Sequence, residues 1–138
     1  MVRVRQLGYE IETTLQQTVQ QRLSTIRLKR RGRGPLVDLL FAACGIETEV
    51  VQAAEPLEIR SGLIANVAQV GHLIAMKLVS RDDERRPQDR IDLSMLAQVA
   101  NATEWERAET AIHLVAKRGY ARKRNLQAAL DELRRLAI

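Results

Sequence analysis

The chain has 138 residues, 46% apolar, 28% charged and only 3% aromatic, with a net charge of +5. That length suits one domain with an aliphatic core of its own, so no disulfide or metal staple is required. One cysteine, Cys44, excludes an internal disulfide framework and a cysteine-based zinc site. No apolar run reaches the length of a membrane span, and the N-terminus lacks the apolar stretch of a signal peptide. The expected compartment is the cytoplasm. The charge is uneven: residues 1–35 hold eight Lys/Arg against Glu10 and Glu12, whereas residues 36–138 carry −1. The excess centres on Arg27 to Arg33, which is compatible with an anionic partner such as RNA or a nucleotide, or with a solvated basic loop.

In chain order, Tyr9–Gln17 alternates partially and reads as a weak strand. Arg22–Lys29 reads as a second strand by its β-branched content. The run RRGRGP is a turn. Leu36 to Ala42, LVDLLFA, is apolar on both faces, the pattern of a central strand. After Gly45, residues 46–55 suit a short helix ended by Pro56, and 57–68 a hairpin about Ser61-Gly62. VGHLIAMKLVSR and PQDRIDLSMLAQVA are two helices. A third opens at Thr103, with Glu106 completing a capping box, and stops at Gly119. A fourth starts near Asn125, with Leu126, Ala129, Leu130, Leu133 and Leu136 on one face. The fold class is α+β: a small mixed or antiparallel sheet in the N-terminal half, then a C-terminal bundle of about four helices. Residues 1–138 read as one domain, with a sheet part (1–66) and a helical part (67–138).

Three features carry chemistry. Asp38 interrupts the most apolar strand, sharing a face with Leu36, Leu40 and Ala42. A carboxylate there faces a cleft, pairs with a cation or binds a metal. Lys77 falls on the apolar arc of its helix, after Val70, Leu73 and Ile74, and must snorkel or meet a carboxylate. Asp89 and Asp92, neighbours at i and i+3, open the next helix. Asp89 suits the positive end of that helix, while Asp92 points toward its buried side. A pairing of Lys77 with Asp92 or Asp89 would lock the two helices and form a phosphate-binding corner. His72 falls away from the Lys77 arc, and a metal site or Cys–His dyad from His72, His113 and Cys44 is not expected. The basic run Lys117 to Arg124 reads as an interhelical turn, solvated or in contact with RNA.

The ordered set GPLVDLLFAACGIETEVVQAAEPLEI, VGHLIAMKL and RRPQDRIDL resembles the nucleotidyltransferase superfamily with the polymerase-β-like fold, closest to the bacterial branch of abortive-infection toxins. The resemblance runs from about Gly8 to the end of the chain. It implies Mg²⁺-dependent transfer of a nucleotidyl group from a nucleoside triphosphate to an RNA or protein hydroxyl. By resemblance, Asp38 matches the third metal-binding carboxylate, Lys77 a lysine that meets nucleotide phosphates, and Asp89 and Asp92 the acidic helix start. The family's first two carboxylates come as Asp-x-Asp after a glycine-rich turn, and no Asp precedes Asp38 here. The chain is therefore expected to correspond to the C-terminal two-thirds of such an enzyme, to hold Mg²⁺ poorly and to be silent alone. The alternatives are a non-catalytic module that dimerises, or joins a partner protein, through exposed sheet edges, and an RNA-binding remnant using Arg27 to Arg33.

Overall fold

The structure, a computed structural model, describes residues 2–16, 23–82, 84 and 86–137. It is α+β, and it divides into two compact units, Met1–Ala43 and Cys44–Ile138.

The first unit has a one-turn helix α1 (Val2–Gln6) and strands β1 (Tyr9–Gln16), β2 (Leu23–Arg30) and β3 (Leu36–Leu40). They form an antiparallel sheet in the order β1-β2-β3. Gln17 and Arg22, the outer ends of the two expected strands, lie outside the described residues. The central strand is β2, whose Ile26 and Leu28 are buried while Arg27 and Lys29 are exposed. This period-2 alternation sorts the sheet into an apolar and a charged face. Register places Leu39 opposite Ile26 and Val37 opposite Leu28 on the apolar face.

The expectation of a central, doubly buried strand at 36–42 is corrected: β3 is an edge strand. Val37 is half-buried, and Leu36, Asp38, Leu39 and Leu40 are exposed. A continuous apolar run states that both faces are hydrophobic. It does not state how many neighbours the strand acquires.

The second unit begins with α2 (Glu47–Gln52), followed by the antiparallel hairpin β4 (Glu55–Arg60) and β5 (Leu63–Val67), turning at Ser61-Gly62 as expected. Four helices complete it: α3 (Val70–Ser80), α4 (Gln88–Val99), α5 (Ala102–Lys117) and α6 (Leu126–Leu136). None of the described helices is long and apolar enough to cross a membrane. The core of this unit is aliphatic, with Ile46, Ile74, Leu78, Leu93, Ile112, Val115 and Leu130 at its centre.

The α3–α5 crossing is set by Gly71. A Cβ there would run into the Glu104 carbonyl oxygen and lie 2.9 Å from the Ala108 nitrogen, so only glycine lets the two backbones approach this closely. Glu104, buried in the first turn of α5, accepts from the Gly71 N–H at 2.5 Å and so caps the start of α3 from a neighbouring helix. The expected cap of α5 at Thr103 is also corrected. Asn101 caps it, its side chain accepting from Glu104 N–H at 3.0 Å. At the other end Gly119, at φ +81°, terminates α5 as expected. Its N–H donates to Ala116 and that of Tyr120 to Val115, the paired bonds of a Schellman motif.

Candidate functional site

Asp38 and Arg27 are directly opposite in the β2–β3 register, on the charged face of the sheet. The guanidinium grips the carboxylate with two parallel bonds, Nε to Oδ1 and Nη2 to Oδ2, each 2.7 Å. That grip holds the Asp38 carboxyl below its ordinary range and raises Arg27. Both side chains are exposed, 37% and 47%. Asp38 is therefore not a carboxylate stranded in an apolar interior. It is one half of a surface ion pair, and both its oxygens are occupied.

Lys77 and the two later aspartates do converge. Pro87 precedes the first turn of α4, and that turn directs Asp89 and Asp92 at α3. Lys77 Nζ donates to Asp89 Oδ1 at 2.9 Å and to Asp92 Oδ2 at 2.6 Å. The Gln88 amide donates to Asp92 Oδ1 at 3.0 Å. Asp89 is the buried member, its side chain 7% exposed, and its Oδ2 lies 3.3 Å from the Arg86 guanidinium, an ion pair without hydrogen-bond geometry. Burial opposes the charge of the Lys77 ammonium, but its bonds to Asp92 and Asp89 outweigh that, and its pKa is raised. The Asp92 carboxyl is pulled down by Lys77 and then by Gln88. An ammonium has three donors. Two are spent on aspartates, and the side chain as a whole is one-third exposed.

A two-metal centre requires several carboxylates that share a point with open coordination positions. Among the described residues no three His, Cys, Asp or Glu side chains form such a group. Asp38 is engaged by arginine, and Asp89 and Asp92 by lysine. The described residues do not fit a two-metal centre.

The sequence reading missed a cleft of about 350 Å³ in the second unit, lined by Glu49, His72, Glu106, Arg107, Thr103 and Thr110 above apolar residues such as Leu114. His72, expected away from the interior, is buried because its neighbour Gly71 forms the α3–α5 contact. Burial, then Arg107, pushes its pKa down against the opposing pull of Glu104 and Glu49. A glycine in the first turn of α3 was the available signal, since it costs helix stability unless a neighbour must come close. Cys44 is buried and its thiol is pushed up to about 11, chiefly by desolvation, so it is no nucleophile at neutral pH.

Around Gly45 the α5–α6 turn folds back onto the start of α2. Arg118 donates to Glu49 at 2.6 and 3.0 Å and to the Gly45 carbonyl. Gly45, at φ +80°, has no room for a Cβ, which would lie 2.6 Å from the Tyr120 ring. No protein-family model matches the sequence, and no curated protein matches it.

Proposed function

We propose that the chain is a nucleotidyltransferase-like protein of the cytoplasm that binds a nucleoside triphosphate and does not catalyse transfer alone. The observation that carries this reading is the Lys77–Asp89–Asp92 cluster. Three residues that the family resemblance groups, from two helices and up to 15 positions apart, meet at one point with an ammonium donor to spare. A phosphate oxygen can take that donor without dismantling the helix pair. The proposal of silence rests on Asp38, the one aspartate in the described strands and held bidentately by Arg27.

The test has two arms. In the first, the chain is incubated with labelled triphosphates, Mg²⁺ or Mn²⁺, and bulk tRNA or protein. No transfer is expected, and robust labelling that vanishes in Asp38→Ala would overturn silence. In the second, triphosphate binding is measured by equilibrium dialysis on the wild type and on Lys77→Arg, which retains the charge, with a thermal melt to check that the variant is folded. Weakened binding in the variant is expected. No binding by either protein would remove the transferase reading.

A second reading, a non-catalytic module that pairs through its sheet edges, is favoured by one observation. The edge strand β3 exposes Leu36, Leu39 and Leu40 together with its unpaired backbone groups. Light scattering on the eluted protein decides it: a dimer that dissociates in Leu39→Lys supports pairing, and a monomer at all concentrations excludes self-association.

A further inference from the structure

We propose that the turn joining α5 to α6, Lys117–Arg124, docks the phosphate backbone of a single-stranded nucleic acid, with Tyr120 as the platform on which a base stacks. This is independent of the transferase reading, since it involves none of Asp38, Lys77, Asp89 or Asp92.

The two basic runs of the chain differ in how their charge is spent. In Arg27 to Arg33 it is largely neutralised: Arg27 pairs with Asp38 at 2.7 Å, Lys29 with Glu12 at 3.8 Å, and Arg31 with Glu10 at 2.6 Å. The turn carries five Lys/Arg in eight residues, and of these Arg118 is neutralised by Glu49. Among the described residues no carboxylate pairs with Lys117, Lys123 or Arg124, and all three are exposed. A cluster of exposed cations without counter-charges is the electrostatic footprint of a polyanion partner.

Two further features select a single strand. Tyr120 stands 43% exposed in the middle of the cations, and its ring is seated against Gly45, so it is presented rather than free to collapse. Aromatic platforms among cations hold unstacked bases, which a duplex does not offer. The turn is also held in a costly shape. Arg122 and Lys123 take φ +52° and +62°, and consecutive left-handed residues that are not glycine are disfavoured. Strain of this kind concentrates where side chains must be aimed. Here it displays Lys123 just ahead of α6, whose positive dipole end adds to the field.

Fluorescence anisotropy with a labelled 20-nucleotide oligouridylate and the corresponding deoxy strand, across a salt series, tests this on the full chain. Both strands are expected to bind, and the duplex more weakly. Lys117→Ala/Lys123→Ala/Arg124→Ala should flatten the log–log salt slope by about 2, at roughly 0.7 for each phosphate no longer neutralised. Tyr120→Leu should weaken binding roughly five- to 150-fold, the range of one missing stack, and Tyr120→Phe should restore it. Thermal melts confirm that each variant is folded. Binding by the triple variant within twofold of wild type overturns the proposal. So does preference for the duplex, loss only in Arg30→Ala/Arg33→Ala, or capture by phosphatidylserine vesicles without any RNA binding.

Discussion

Gly71 and Lys77 sit six residues apart on α3, and each decides one helix contact. At Gly71 the contact is backbone against backbone, so nothing flexible can yield. Gly71→Ala is expected to lower stability by about 2–3 kcal/mol, the cost of overpacking a rigid site, measured by urea unfolding. At Lys77 the contact is charge against charge. Lys77→Met leaves Asp89 buried with Arg86 as its one cation among the described residues, and should cost about 3 kcal/mol. The same cluster sets a pH dependence. Asp92 has its folded pKa below the ordinary 3.8, so it stabilises the fold above that value and stops doing so as pH falls through the lower folded value. Lys77 is raised above 10.5, so its contribution is complete below that pH and fades as pH rises through the higher folded value. The urea midpoint should fall on acidification below pH 3.8, and Asp92→Asn should make that fall shallower.

At the scale of elements, end chemistry separates what local sequence states from what it leaves ambiguous. Thr103 and Glu106 satisfy the spacing of a capping box, yet Asn101, two residues earlier, does the capping. Both segments hold a capable side chain, and with Asn101 as the cap Glu104 gives its backbone N–H to Asn101 and its carboxylate to Gly71. Asn101→Ala should therefore cost about 1 kcal/mol, and Thr103→Ala a few tenths, in thermal unfolding. The α5–α6 turn offers the opposite sign. Lys123→Gly relieves a left-handed φ of +62° and should stabilise by about 1 kcal/mol while weakening nucleic-acid binding. A gain in stability with unchanged binding would separate the strained backbone from any role of the turn.

The molecule as a whole is unequal in its two units. Residues 44–138 hold a continuous core that includes Ile46, Ile74, Leu93, Ile112 and Leu130, each almost inaccessible. In residues 1–43 the buried apolar side chains, among those described, are Ile26 and Leu28. Three strands with so few buried residues lie near the limit of independent stability. Residues 44–138 expressed alone should show helical circular dichroism and a cooperative melt. Residues 1–43 alone should show neither. A cooperative transition in the short piece would mean that the described core understates its packing.

Local sequence was enough to order two N-terminal strands, an apolar strand, a short helix, a hairpin at Ser61-Gly62 and the four helices α3 to α6, and it left Lys77 either to snorkel or to meet a carboxylate. These follow from periodicity, turn residues and the cost of an unpaired charge, all local properties. That β3 is an edge, that Asp38 answers Arg27 across the register, and that His72 is buried behind Gly71 came from packing. Those outcomes depend on which strand lies beside which and how closely two backbones approach. Such relations join residues distant along the chain, and no window of sequence contains both partners.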